Sequence, residues 1–140
     1  MKQTLSKADR LKSYTRIRSL FEKGGKLRSQ PLLVYFQLLE AGQVTDGNCL
    51  QMGVSVSSRH FKRAVDRNLI KRRIREAYRQ QKQPLFDMLL NRGFHMDLFI
   101  VYLGTDIPDY QELYTVVEKL LKQLVSRIPV SEISLPDNKV

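Results

Sequence analysis

One cation-dense stretch constrains this chain more than any other feature. Residues 60–83 read as a single long helix, and Pro84 marks its end or a break because proline lacks an amide hydrogen and clashes with the preceding turn. Winding the segment at about 100° per residue puts Arg67, Lys71, Arg75, Asn68, Arg79 and Arg72 on one arc of roughly 140°. Ile70, Ile74 and Ala77 lie together beside that arc and can anchor the helix to a sheet. Asp66 and Glu76 fall outside the arc and do not obviously neutralise it.

The rest of the chain supplies that sheet. Ser13 is placed to cap a helix running to about residue 23, and Gly24-Gly25 is a natural stop. Tyr14, Ile17 and Phe21 share one stripe of it, with Lys12, Arg16, Arg18 and Lys23 around them. Residues 32–39 are short, apolar and aromatic, and read as a strand. Residues 41–48, with Gly42, Asp46 and Gly47, look like a hairpin connection to a second strand over about 49–57. Cys49, the single cysteine, reads as a small buried strand residue and excludes an internal disulfide. A short helical stretch over 85–90 and a turn at Asn91-Arg92-Gly93 precede the most strand-like segment, residues 97–103. Residues 109–127 have helical periodicity, with Leu113, Val116, Val117, Leu120, Leu121 and Leu124 on the apolar side. The order is α-β-β-α-β-α. It predicts an α+β fold, a two-layer sandwich of helices on a small sheet, formed by one domain over 1–127. The polar residues 128–140, containing Pro129 and Pro136, are expected to be a disordered tail.

Charge identifies the class of partner. Residues 1–82 carry 19 basic and 6 acidic side chains, whereas residues 83–140 carry 5 and 8. The net charge of +10 therefore belongs to the first part of the chain, and a polyanion is its natural partner. A solvated helix face laced with Glu–Lys pairs would need more acid than residues 59–82 contain, with ten basic side chains and two acidic ones. Seven of those ten are arginines, suited to bidentate contact with phosphate oxygens. No segment pairs a basic face with a broad apolar one, and no apolar run approaches the roughly 18–20 residues that cross a bilayer, so a membrane partner is not expected. No apolar h-region follows the basic N-terminus, and a cytoplasmic location is expected. DNA is not the expected partner, since no helix-turn-helix mate precedes the basic helix. A sheet beside that helix, with Tyr35 and Phe36 available for stacking, favours RNA.

The stretch AVDRNLIKRRIREAYR, residues 64–79, resembles the signature of the bacterial ribonuclease P protein family. That family carries Arg-Asn-Arg continuing into Ile-Lys-Arg and Arg-Glu, after a strand that opens Gly-x-x-Val and leads to paired lysines. Here Gly53, Val54 and Val56 stand in the strand and Ser58-Arg59 at the paired lysines. Lys62-Arg63-Ala64 lead into Arg67-Asn68, Ile70-Lys71-Arg72 and Arg75-Glu76. Leu69 replaces the third member of Arg-Asn-Arg and Ser58 the first lysine, which removes two cations. Ile17 and Phe21 before Gly24 look like the family's paired apolar residues in its first helix, and Tyr35 matches the aromatic in its first strand. The resemblance covers about residues 10–125.

It implies an α-β-β-β-α type sandwich of the ribosomal-protein kind, with the basic helix inserted in a left-handed crossover. It implies binding of ribonuclease P RNA through Arg59, Lys62, Arg63, Arg67, Asn68, Lys71, Arg72, Arg75 and Arg79. It further implies a cleft for the 5′ leader of precursor tRNA, for which Ile17, Phe21, Tyr35 and Phe36 are the candidates. Catalysis would belong to the RNA subunit, which would hold the Mg²⁺, with no cofactor on protein side chains. The residues agree with that division. Asp106 and Asp109 are the one close acidic pair late in the chain and suit turn and cap chemistry. His60 and His95 lack metal-ligand spacing, and no Gly-rich phosphate loop is present. The alternatives are a ribosomal-type structural RNA-binding protein with no role in tRNA cleavage and a stand-alone nuclease. The missing carboxylate cluster argues against the second.

Overall fold

The computed structural model describes residues 7–43 and 47–129. Among these the chain runs α1 (Tyr14–Lys23), β1 (Gly25–Ser29), β2 (Leu32–Glu40), β3 (Leu50–Val56), α2 (Ala64–Gln81), α3 (Gln83–Arg92), β4 (Phe94–Tyr102) and α4 (Tyr110–Ser126). Short 3-10 turns occupy Lys7–Asp9 and Ala41–Gln43. The expected α+β order is present, with the edge strand β1 added to it.

Local chemistry sets the ends of α1. The Ser13 hydroxyl accepts the Arg16 amide at 3.3 Å, and the Gly24 amide returns to the Leu20 carbonyl. The two glycines do more than stop the helix. A Cβ on Gly24 would lie 2.7 Å from the Phe36 carbonyl oxygen, so only glycine lets the chain turn directly into β1 against β2. β1 then pairs with β2 in a hairpin across Gln30-Pro31.

The sheet order is β1-β2-β4-β3, so the expected hairpin between residues 32–39 and 49–57 does not form. β4 lies between them. It pairs antiparallel along all of β2, from Leu32↔Tyr102 to Glu40↔Phe94, and parallel along all of β3, from Leu50↔Met96 to Val56↔Tyr102. The physical reason lies in β4 itself, which is buried along most of its length, with Phe94, Met96, Leu98, Ile100 and Tyr102 on one face and His95, Asp97, Phe99 and Val101 on the other. Such a strand is stable in the centre of a sheet, while an edge would leave it exposed. Residues 44–46 of the β2–β3 connection lie outside the described residues.

Helices α2, α3 and α4 cover one face of the sheet. Ile70, Ile74, Ala77, Tyr78, Leu85, Leu89 and the α4 stripe pack there against Val34, Met52, Leu98 and Ile100. Alternation sends Tyr35, Asp97 and Phe99 to the other face, where α1 lies. The packed chain extends past residue 127. Ile128 is buried, and the Arg92 guanidinium donates to its carbonyl at 3.1 Å. Residues 130–140 of the expected tail lie outside the described residues. Cys49 is half-buried and sits just before β3, with its thiol 3.9 Å from the Phe86 carbonyl, so it is not the buried strand residue expected. Burial pushes that thiol's pKa up. No helix among the described residues is long and apolar enough to cross a membrane.

Candidate nucleic-acid interface

Ile70, Ile74 and Ala77 bury one side of α2 as their spacing predicts. Tyr78, fully buried, extends that side into the arc that the sequence assigned to cations. The open face is therefore narrower towards the C-terminal end of the helix. Lys71 and Arg75 are half-buried at its margin, and Arg72 and Asn68 are exposed. Burial first, and then the neighbouring Arg10, depress the pKa of the Arg75 guanidinium. Arg10 arrives on a strap that the sequence did not reveal. The Leu11 amide donates to the Met52 carbonyl at 3.0 Å and Arg10 bridges Met52, so residues 10–11 line the outer edge of β3 and extend the cationic surface.

Not every arginine of the stretch faces outward freely. Arg67 directs one guanidinium nitrogen at the carbonyls of Phe61 and Lys62, at 2.7 and 2.9 Å, and thereby secures the loop before α2. Arg79 grips Glu76 with contacts of 3.1 and 2.8 Å, and those hydrogen bonds hold the Glu76 carboxyl below its ordinary pKa. Arg63 lies 3.9 Å from Asp66. The expectation that Asp66 and Glu76 leave the cations alone is thus corrected, since each pairs with an arginine one helical turn away, Asp66 backward and Glu76 forward. Arg73 points away from the face and donates to the Pro108 carbonyl at 2.6 Å. Arg59, Lys62, Arg63 and Ser58 are exposed in the loop before α2, and Leu69 is half-buried. With His60, Ser57, Val101 and Leu103, Arg59 lines a polar depression of about 420 Å³ at the carboxyl ends of β3 and β4.

On the opposite face the structure brings Phe21 and Tyr35 together. Their ring centres are 4.6 Å apart, edge to face, and Phe99 joins them at 5.1 Å from Phe21. Phe21 stays 42% exposed, so the cluster opens to solvent rather than forming a sealed core. The Lys26 ammonium lies over the Tyr35 ring at 5.6 Å, with Arg28 exposed further along β1. Ile17 is half-buried one turn before Phe21. Phe36 does not join them. Strand alternation turns it to the core face, where it packs against the buried cluster and lies beneath the Arg127 guanidinium at 5.6 Å. Phe99 was missed, although the period of two in residues 97–103 separates it from Leu98 and Ile100. Gly53 faces it across the β3–β4 pair, and a Cβ there would lie 2.7 Å from the Phe99 ring.

Among the described residues no group of three or more His, Cys, Asp and Glu side chains comes together to hold a metal. His95 is buried against Asp97 at 2.7 Å. Asp109 takes the N-cap position of α4 without a capping hydrogen bond from its side chain, and Asp106 accepts the Tyr102 hydroxyl through its carbonyl at 2.6 Å.

A family model described as Ribonuclease P matches residues 5–125. The Ribonuclease P protein component of Porphyromonas gingivalis is 32% identical over 127 residues, spanning 91% of this chain and 90% of that protein. That of Chlorobium phaeobacteroides is 28% identical over 132 residues, spanning 89% and 85%. In three dimensions the chain is similar to the Staphylococcus aureus RNase P protein, with a TM-score of 0.63, 23% identity and coverage of 84% of this chain and 96% of that one. For the Thermotoga maritima RNase P protein the values are 0.57, 24%, 86% and 97%. At these identities the structural likeness establishes the fold.

Proposed function

The chain belongs to the bacterial ribonuclease P protein family, and on that premise we propose that it binds ribonuclease P RNA and the 5′ leader of precursor tRNA, assisting endonucleolytic removal of the leader. The observation that carries the leader assignment is the Phe21–Tyr35–Phe99 cluster, open to solvent and rimmed by Lys26. A single strand offers every base a flat face for stacking and a phosphate for each cation, so such a cluster holds it with little sequence preference. The outward face of α2, with Lys71, Arg72 and Arg75, and the loop cations Arg59, Lys62 and Arg63 supply the contacts to the structured RNA. Arginine forks suit phosphate oxygens, and release of counterions makes the association salt-dependent.

Hydrolysis of the phosphodiester, leaving the mature 5′ end, is assigned to the RNA subunit and its Mg²⁺. The protein contributes electrostatics: it screens phosphate repulsion where leader and RNA approach, and strengthens metal binding indirectly. The test is cleavage of a precursor tRNA at near-physiological Mg²⁺ by the protein, by a bacterial ribonuclease P RNA, and by both. Strong stimulation only with both present supports the reading. Intact RNA binding without stimulation makes the protein a structural RNA-binding protein instead, and cleavage by protein alone makes it a nuclease.

A further inference from the structure

Between α1 and the sheet lies a buried charge cluster that neither the RNA face nor the aromatic cluster uses. Asp97 of β4 has no exposed side-chain surface. Arg16 of α1 grips both of its oxygens, Nε at 3.0 Å and Nη2 at 2.8 Å, and the same Nη2 donates to Gln51 Oε1 of β3 at 2.7 Å. His95 Nε2 reaches Asp97 Oδ1 at 2.7 Å from the strand itself. Burial alone would raise the Asp97 carboxyl, but the hydrogen bonds from His95 and Arg16 hold it below the usual carboxylate range.

We infer that Arg16 and Asp97, with His95 and Gln51, are positioning residues that fix α1 over the sheet and so set the geometry of the Phe21–Tyr35–Phe99 cluster. Within α1 only Leu20 is fully buried, so apolar packing gives the helix little to fix its rotation or its shift along its axis. A further hydrogen bond from the helix to the sheet, Ser19 to Gln37 at 3.4 Å, is long. A planar fork on a carboxylate is directional and can supply that register. A buried pair is a poor source of stability, because desolvation offsets most of its attraction, and its better-attested use is to specify one arrangement. The geometry connects anchor and cluster directly. Arg16 is adjacent to Ile17 and five residues before Phe21 on one helix, and Asp97 is two residues before Phe99 on the same face of one strand. A shift of α1 therefore moves Phe21 against Tyr35 and Phe99.

This inference rests on the reading of the cluster as the leader site, and the experiment separates the two. Holoenzyme is assembled with ribonuclease P RNA and with wild-type, Arg16→Lys or Asp97→Asn protein, and affinity is measured for a precursor tRNA and for the mature tRNA. Lysine keeps the charge but loses the fork, and asparagine keeps the shape but loses the charge. The expected result is a loss of about tenfold in the precursor-over-mature preference, within the roughly five- to 150-fold range that loss of one base stack carries. Affinity of the protein for ribonuclease P RNA should stay at the wild-type value. Either variant that folds, as judged by circular dichroism, carries the test. A preference unchanged from wild type overturns the inference alone. Equal losses in RNA affinity and in precursor affinity also overturn it, because that is the mark of a merely structural contact. Absence of any preference in the wild-type holoenzyme overturns the leader reading, and this inference with it.

Discussion

Replacing Lys71 and Arg72 together with alanine removes two side chains from the outward face of α2 that make no hydrogen bond or ion pair among the described residues, unlike Arg67, Arg73 and Arg79. If each meets one phosphate, the slope of log K against log salt becomes shallower by about 0.7–0.9 per contact, or about 1.4–1.8 for the pair. Over a fourfold rise in salt, from about 50 to about 200 mM, wild type should then lose roughly seven- to twelvefold more affinity than the variant. The assay is titration of labelled ribonuclease P RNA at several potassium chloride concentrations, with unfolding by urea as a control for stability. Arg67→Ala provides the contrast. It leaves two carbonyls without their donor and should cost about 1–3 kcal/mol of stability. A double variant with the wild-type slope would refute the assignment of the α2 face. An Arg67→Ala protein of wild-type stability would refute the structural role given to that side chain.

Other measurements probe the remaining parts. Tyr35→Ala and Phe99→Ala should each weaken precursor binding by about 1–3 kcal/mol per lost base stack, with little change for mature tRNA; equal effects on both would remove the cleft assignment. Asp97 titrates below its unfolded value of about 3.9, so its contribution to stability is complete above that pH and is lost as pH falls through it towards the folded pKa. Urea midpoints of Asp97→Asn should accordingly depend less on pH than those of wild type between about pH 5 and pH 3, and parallel curves would contradict the carboxyl's depressed pKa. Ile74→Ala empties a fully buried site between α2 and the sheet and should cost about 2–5 kcal/mol in chemical denaturation, a cost that an exposed position would not show.

How far the site could be read from sequence differed by element. The long basic helix, its apolar side and the capped α1 were legible because their signals are local: a period of 3.6, a capping serine, a glycine stop. The same locality explains the errors. Gly24-Gly25 read as a stop, and the strand beginning at Gly25 was hidden because its partner β2 declares itself only once folded. Phe36 beside Tyr35 looked equally available for stacking, and the face each takes was fixed by the register Tyr35↔Phe99 and Phe36↔Leu98. Asp66 and Glu76 were placed outside the cationic arc by angle, yet long arginine side chains reach them from the neighbouring turn.

The sequence by itself determined the helices and three of the four strands, where positive charge concentrates and the family to which the signature belongs, because each follows from side chains close together along the chain. Only the tertiary structure decided that β4 lies between β2 and β3, that Phe99 joins Phe21 and Tyr35, and that a strap carrying Arg10 lines the edge of β3. It alone joined Arg16 to Asp97 across 81 residues. These outcomes depend on strand order and register, which are set by the best burial of the whole apolar surface at once. No window along the chain contains that information, because residues far apart in sequence compete for the same neighbours.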